Sequence, residues 1–323
     1  MCVPIRVKVH FRPTTPPVPF ELFCREYPTR SIAADGFVSG GLTQYRFDEG
    51  GSWLAIDHHG PQAGLLLRVS CEQMLDVVLN PSFFGQFINP KGEFAPEFFA
   101  AHPDEDVCTC IWLLKNADRV REERLPRLET LLWMEGRMDA TAGTYRFPPG
   151  YDEKLRRLNY VFEPYRVFKN DGGLARKNPA EYLVMAGKVC HRITQFVDGG
   201  THELPFDTEY EVLHKAPFWV MIREIGLHAR RGIFRSDRIH GFISVSELAP
   251  GPDRRPRWRY IMGARDSWGP FKTAKFGQYL NQLEGCTTDK WGGNDVVWGS
   301  PQATGSAISP DELQKLALTF HGL

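Results

Sequence analysis

The sequence predicts an α/β fold, in which an N-terminal sheet domain with flanking helices leads through a helical connector to a smaller C-terminal α+β domain. Before residue 60, short β-prone segments are separated by glycine and proline, which is typical of strands. In the middle of the chain, apolar residues recur at helical spacing over longer segments. Short β-prone segments return from about residue 205. Because Asp198-Gly199-Gly200 ends the last long helix, we expect domains at residues 1–200 and 201–323.

Apolar spacing and capping residues define the expected elements of the first domain. Trp53 to Ile56 is the most apolar of its short strands. Ser70 and Gln73 stand three residues apart, as the N-cap and its partner do in a capping box, and Pro126 is expected to kink a long charged helix. In chain order we expect a strand at 4–11, short strands within 30–60, a helix at 70–80, mostly irregular structure over 80–101, and helices at 107–116, 119–138, 151–168 and 179–197.

The second domain is expected to contain short strands and two short helices. Its β-prone segments are rich in β-branched and aromatic residues and are bounded by glycine and proline. The expected strands are Tyr210 to Leu213, Phe218 to Ile222, Arg231 to Phe234, Gly241 to Val245 and Trp258 to Met262. The expected helices are Phe276 to Leu283 and Pro310 to Leu318.

Composition excludes some classes of protein. The chain has 323 residues, with 39 Lys+Arg and 39 Asp+Glu, so its formal net charge is zero. A neutral chain has no overall attraction to long nucleic acids or to anionic membranes. The seven cysteines are scattered without a Cys-x-x-Cys pair, which favours a reducing compartment. No apolar segment is long enough to span a membrane, so we expect a cytoplasmic protein.

Two clusters of histidine and aspartate lie beside apolar segments. Asp57-His58-His59 follows the strand that ends at Ile56, and His102-Pro103-Asp104-Glu105-Asp106 precedes a second apolar stretch. Asp139 ends the charged helix and is a further candidate. Imidazole with carboxylate suits Mn²⁺, Zn²⁺ or Fe²⁺ better than Mg²⁺ or Ca²⁺. The combination therefore predicts a metal site, although Asp57 and Asp106 are also suited to capping a turn or a helix.

These two clusters resemble the motifs of the DHH phosphoesterase superfamily, which is named for an Asp-His-His sequence after a buried strand. Ile56-Asp57-His58-His59-Gly60 has that form, and His102 to Asp106 has the form of the family's His-x-Asp-x-Asp motif. In the family the His-x-Asp-x-Asp motif comes first, whereas here the order is reversed. The resemblance implies a parallel sheet that carries two manganese ions, a helical connector and a smaller substrate domain.

The resemblance also implies roles for individual residues. Asp57, His102, Asp104, Asp106 and Asp139 would bind two Mn²⁺ ions, with Mg²⁺, Zn²⁺ or Fe²⁺ as alternatives. His58 and His59 would act in catalysis, and which of them is a metal ligand is left open. The family's second domain binds phosphate with an arginine and a glycine-rich segment; the corresponding candidates here are Arg265, Gly292, Gly293, Ser300, Thr304 and Ser306. The histidine that usually ends the glycine motif is absent, and Asn294 is nearest.

Three functions are consistent with the sequence. The first is a phosphoesterase that uses a metal-activated water on a small nucleotide or short oligonucleotide; a homodimer is left open. The second is a mononuclear iron oxygenase, with His102 and Asp104 joined by His191 or His214. The third is a non-catalytic module that binds a nucleotide or a partner protein through aromatic residues of the second domain, namely Trp258, Tyr260, Trp268, Phe271, Trp291 and Trp298.

Overall fold

A computed structural model of the chain describes residues 3–49, 51–58, 68–234, 236–251, 254–287 and 289–323. The chain forms two compact units. Unit 1 comprises residues 1–139 and 149–205, and unit 2 comprises residues 140–148 and 206–323. The α/β class is confirmed, since each unit combines a mixed sheet with helices. None of the helices in the described ranges is long and apolar enough to cross a membrane.

Unit 1 is built on a five-stranded sheet. Its elements are β1 (Lys8–Phe11), α1 (Phe20–Glu26), β2 (Ser31–Ala34), β3 (Gln44–Asp48), β4 (Gly51–Ile56), α2 (Ser70–Leu79), α3 (Pro81–Gln86), β5 (Glu97–Ala100), α4 (Glu105–Lys115), α5 (Ala117–Glu122), α6 (Pro126–Ala140), α7 (Asp152–Asn170) and α8 (Pro179–Asp198). The strand order is β1-β5-β2-β4-β3. The first four strands in this order are parallel, and β3 pairs antiparallel with β4 at one edge.

The expectation of irregular structure over residues 80–101 is wrong for much of that segment. Pro81–Gln86 is helical, and Glu97–Ala100 is strand β5, which lies between β1 and β2. This strand has only four residues, and three of them are buried. A strand covered on both faces lacks the alternation of polar and apolar residues by which strands are recognised. Its position inside the sheet also fixes where the following segment, with His102 and Asp104, begins.

The capping box expected at Ser70 and Gln73 is also wrong. Helix α2 starts at Ser70 with Val69 as its N-cap and has no cap from a nearby side chain. The Gln73 amide instead donates to the carbonyl oxygens of Asp57 and Arg68. Pro126 likewise does not kink one helix but begins α6 after α5 has ended, which is the helix position where proline is best tolerated.

Unit 2 contains a six-stranded sheet with the order β10-β11-β9-β8-β7-β6. Its elements are β6 (Tyr210–Lys215), β7 (Trp219–Glu224), α9 (Ala229–Ile233), β8 (Gly241–Leu248), β9 (Arg257–Ala264), α10 (Thr273–Glu284), β10 (Gly292–Gly293), β11 (Val297–Gly299) and α11 (Pro310–Phe320). The strand expected at Arg231 to Phe234 is wrong, because α9 ends there. Ala229 and Ile233, spaced four apart, are buried against Ile222 and Phe242, and this spacing brings side chains onto one helix face.

Candidate metal centre

Three neighbouring parallel strands of unit 1 end in acidic segments at the same edge of the sheet. Asp35 follows β2, Asp57 follows β4, and Asp104 comes shortly after β5. Because β5, β2 and β4 are adjacent and parallel, their carboxyl ends meet at one edge, where ligands usually bind in open α/β sheets. The order of the two motifs along the chain therefore does not prevent them from meeting.

Asp35 was not among the residues predicted from sequence. Its backbone has φ of 54°, in the left-handed region that non-glycine residues seldom adopt and that is enriched at functional sites. Its N–H donates to the carbonyl of Ile56 at 3.1 Å, which fastens the end of β2 to the end of β4. The sequence did carry a signal, since Asp35-Gly36 directly follows the short apolar strand Ser31–Ala34.

Two groups of potential metal ligands share His58. In the first, ligand atoms of Asp35, Asp57 and His58 all lie within 4.8 Å of one another; in the second, the same holds for His58, Asp106 and Asp139. Nε2 of His58 lies 2.9 Å from Oδ2 of Asp139, and its Nδ1 lies 3.9 Å from Oδ2 of Asp106. The structure thus brings together Asp57, His58, Asp106 and Asp139 of the residues predicted from sequence.

Asp106 also caps a helix. Its two carboxylate oxygens accept the N–H groups of Ser70 at 2.9 Å and Cys71 at 2.7 Å, at the start of α2. A carboxylate at a helix N-terminus satisfies unpaired N–H groups and interacts favourably with the helix dipole. The sequence allowed Asp106 to cap the helix after Val107, but that task falls to Asp104, which accepts the Val107 N–H at 2.8 Å.

The acids at this edge raise one another's pKa. Asp35 keeps intermediate exposure as a residue, but burial of its carboxyl group, followed by the charge of Asp104 and a hydrogen bond between the two side chains, raises its pKa well above the usual value. Burial and the charge of Asp139 raise the pKa of Asp106 to about 6. Like charges held close in a shielded site disfavour ionisation, and a cation bound among them would reverse this effect.

At His58 the neighbouring negative charges stabilise the charged form of the side chain, and not its neutral form. Burial lowers its pKa, but the hydrogen bond to Asp139 and the charges of Asp139, Asp106 and Asp57 outweigh burial and raise the pKa to about 9. The imidazole is therefore protonated at neutral pH and supplies one positive charge among the acids. A metal ligand must be unprotonated, so metal binding through His58 would release this proton.

Two glutamates complete the acidic surroundings. The Arg166 guanidinium donates to both carboxylate oxygens of Glu105, at 2.7 and 2.9 Å. Glu135 is buried one helical turn before Asp139, and within the described residues its Oε2 has no hydrogen-bond partner. Burial and then the charges of Glu105, Asp139 and Asp106 raise the pKa of Glu135 well above its usual value. Arg166 is thus a principal positive charge that offsets this group of acids.

The donor set fits a divalent metal ion. Several carboxylates and one imidazole converge within ligand distance of one another, and this mixture of donors suits Mn²⁺, Zn²⁺ or Fe²⁺. Asp35 and Asp104 are close enough to share a hydrogen bond, which two carboxyl groups form only when one of them is protonated. A bound cation would take the place of that proton between the two side chains.

The remaining predicted histidines lie outside these groups. His102 is exposed, with its ring centroid 6.4 Å from that of Tyr182, and its role as a ligand stays a prediction. His59 lies outside the described residues. His191 is exposed on α8, where it lines a groove of 980 Å³ between α7 and α8. His214 belongs to unit 2, where it lies 3.2 Å from Asp311. Within the described ranges, none of the candidate ligand groups pairs His102 with a second histidine.

The predicted phosphate-binding residues of unit 2 make internal contacts. Arg265 donates to Asp237 at 3.2 Å and to the carbonyl of Ser236 at 2.7 Å. The buried Ser300 hydroxyl accepts the N–H of Tyr260, and the buried Ser306 hydroxyl donates to Glu284. Their substrate roles stay predictions.

The glycine-rich part of unit 2 is also held by contacts within the unit. Gly292 and Gly293 form the short edge strand β10, and Gly293 has φ of 158°. The N–H groups of residues 302–304 and the Thr304 hydroxyl all donate to the carboxylate of Asp289. Successive N–H groups directed at one carboxylate are typical of a backbone anion site, and here the anion is the chain's own aspartate.

No protein-family model matches the chain, and neither a curated protein nor a solved structure matches it at a significant level. We therefore infer function from the geometry and chemistry of the site.

Proposed function

We propose that the protein is a metal-dependent phosphoesterase that hydrolyses a small nucleotide or a short oligonucleotide. The observation that carries the proposal is the convergence of Asp35, Asp57, His58, Asp106 and Asp139 at the carboxyl edge of a parallel sheet. Asp104, on the same edge, contacts Asp35. Asp35 adds support that the sequence resemblance did not supply, because it belongs to neither of the two motifs.

Each residue of the centre would have its own role in binding the metal ions. Asp57 and Asp35 would hold one metal ion and Asp106 and Asp139 a second, with His58 between them giving up its proton and offering a ring nitrogen. When bound, the metals would lower the pKa of a coordinated water and offset negative charge on the phosphoryl oxygens. We favour Mn²⁺ because carboxylates outnumber imidazole among the donors and because the sequence resemblance implies manganese. This assigns His58 to metal binding and leaves His59 as the predicted contact to substrate.

The substrate and the compartment remain part of the proposal. A formal net charge of zero favours a small phosphorylated substrate over a long nucleic acid, which would require a basic groove. The described cysteines are free thiols, which supports a reducing, cytoplasmic environment.

Hydrolysis of a panel of phosphoesters tests the proposal. The panel contains mononucleotides, dinucleotides and bis(p-nitrophenyl) phosphate, each assayed with and without added Mn²⁺. We expect turnover that depends on Mn²⁺ and that falls at least about a hundredfold in Asp57→Asn. Asp198→Asn is the matched control, because Asp198 is an exposed aspartate paired with Arg119 on the surface. Absence of turnover for every ester with Mn²⁺, Mg²⁺, Zn²⁺ or Fe²⁺ would contradict the proposal.

A further inference from the structure

Trp268 differs from the other aromatic residues of unit 2 in being almost fully exposed, at 91% of its surface. The sequence grouped six aromatics as a binding surface for a nucleotide or a partner protein. Five of them belong to the core of unit 2 or pack directly against it: Trp258, Tyr260, Phe271, Trp291 and Trp298. Trp268 is therefore the one member of this group whose ring is fully open to a ligand.

The loop that carries Trp268 is held by several hydrogen bonds. Oδ1 of Asp266 accepts the N–H of Trp268 at 2.9 Å and also that of Gly269. The Lys272 ammonium donates to the carbonyl oxygens of Ser267 at 3.3 Å and Trp268 at 2.9 Å. These contacts fix the backbone on both sides of the indole, so little conformational entropy is lost when a ligand packs on the ring.

The charge at the backbone of Trp268 favours an anionic ligand. Lys272 lies at the carbonyl of Trp268, and across the described chain no carboxylate is within ion-pair distance of its ammonium group. The first turn of α10 contains Lys275 and no acidic residue, although acids are usually favoured there. Asp266, the nearest acid in the loop, already accepts two backbone N–H groups.

A nucleotide fits these features better than a partner protein does. A stable protein interface buries about 800 Å² per partner around a cluster of apolar side chains. Within the loop at 265–272, Trp268 is the only large hydrophobic side chain that is exposed, since Phe271 is buried. A single aromatic ring beside an ammonium group is instead the arrangement on which a base stacks while its phosphate meets a cation.

We propose that Trp268 and Lys272 form a nucleotide-binding site, in which a nucleobase stacks on the indole and the ammonium group binds the phosphate. This inference goes beyond the proposed function, because the site lies in unit 2 and requires no turnover.

Calorimetric titration of the full-length protein tests this site. Adenosine 5′-monophosphate is compared with ribose 5-phosphate, which has the same phosphate and no base, and chromatography confirms that both ligands stay intact. We expect the nucleotide to bind more tightly, and Trp268→Ala to weaken its binding about tenfold while leaving ribose 5-phosphate unchanged. Trp268→Phe should retain most of the affinity, and Lys272→Gln should weaken both ligands. Leu283→Ala removes another exposed apolar side chain of unit 2 and should change neither.

The outcomes separate this site from the proposed reaction. Nucleotide binding that depends on Trp268, in a protein that hydrolyses no ester of the panel, would support the site and contradict the phosphoesterase. Equal affinity of wild-type protein and Trp268→Ala for the nucleotide, or no preference of wild-type protein for the nucleotide over ribose 5-phosphate, would overturn the site. Protein capture through Trp268 without nucleotide binding would overturn it as well.

Discussion

The imidazole of His58 lies 2.9 Å from the carboxylate of Asp139, and this contact joins the end of β4 to the last turn of α6. It brings together two segments that are far apart in the sequence. It also places a positively charged ring between the acids that follow the strands and the acids carried by helices. Through this ring the two groups of potential ligands become one centre.

Asp139 offers the cleanest test of metal binding, because it is the most exposed member of the centre and its replacement should leave the fold intact. We expect the wild-type protein to bind Mn²⁺ in calorimetry and Asp139→Asn to bind it about 10- to 100-fold more weakly, a range typical of changes around metal sites. Asp198→Asn should bind Mn²⁺ as the wild type does. An unchanged affinity in Asp139→Asn would exclude Asp139 from the site.

The raised pKa values make the stability of the metal-free protein depend on pH. The pKa of Asp106 is raised to about 6 from 3.8, and that of His58 to about 9 from 6.5. Both groups therefore bind their protons more tightly when folded, so the stability that they contribute is present at low pH and is lost as pH rises through about 6 and then about 9.

We expect urea unfolding with a chelator to show this loss between about pH 6.5 and 9, and His58→Gln to show a flatter profile over that range. Added Mn²⁺ should stabilise the wild-type protein more at pH 8 than at pH 6, since the metal competes with these protons. Stabilisation by Mn²⁺ that decreases as pH rises would contradict the assignment.

Asp106 should matter for folding as well as for metal binding. Its carboxylate accepts two N–H groups at the start of α2, and hydrogen bonds to a charged, buried group contribute about 1.5–3 kcal/mol each. Relief of repulsion with Asp139 offsets part of this loss, so we expect Asp106→Ala to lower the free energy of unfolding by about 2–3 kcal/mol. Asp104→Ala removes one cap contact and also the like charge beside Asp35, so it should cost no more than about 1 kcal/mol. Equal losses in chemical denaturation would contradict this account.

Arg166 is expected to be essential for the stability of unit 1. It pairs with Glu105 through two hydrogen bonds in a largely buried setting, and removal of one partner of such a pair typically costs about 3–5 kcal/mol. Arg166→Ala should therefore lower the melting temperature strongly. Arg25→Ala removes one member of an exposed pair with Glu26 and should have little effect. A comparable melting temperature for both variants would show that Arg166 does not offset the acids around it.

The sequence was sufficient for the α/β class, and it named four of the five residues that converge here, namely Asp57, His58, Asp106 and Asp139. Asp57, Asp106 and Asp139 stand next to apolar segments, and that proximity is visible in the chain. Asp35 was missed because a single aspartate before glycine resembles an ordinary turn. Its partners become apparent only once β2 is known to lie between β5 and β4.

The wrong predictions of local structure share one physical origin. In each case, contacts between residues far apart in the sequence replace contacts between near neighbours. Helix α2 is capped by Asp106 from α4 and not by its own Ser70. Strand β5 lies inside the sheet between β1 and β2, and three of its four residues are buried, so it lacks the polar face by which strands are recognised. The pairing of Asp35 with Asp104 likewise depends on sheet order, which residue spacing does not encode.

The most direct test of the metal centre is anomalous diffraction at the manganese absorption edge from crystals grown with Mn²⁺. The proposed function requires manganese peaks within about 2–2.5 Å of ligand atoms from Asp57, His58, Asp106 and Asp139, with Asp35 as a further ligand. Crystals that bind Mn²⁺ elsewhere, or that leave these residues without a peak at saturating Mn²⁺, would contradict it.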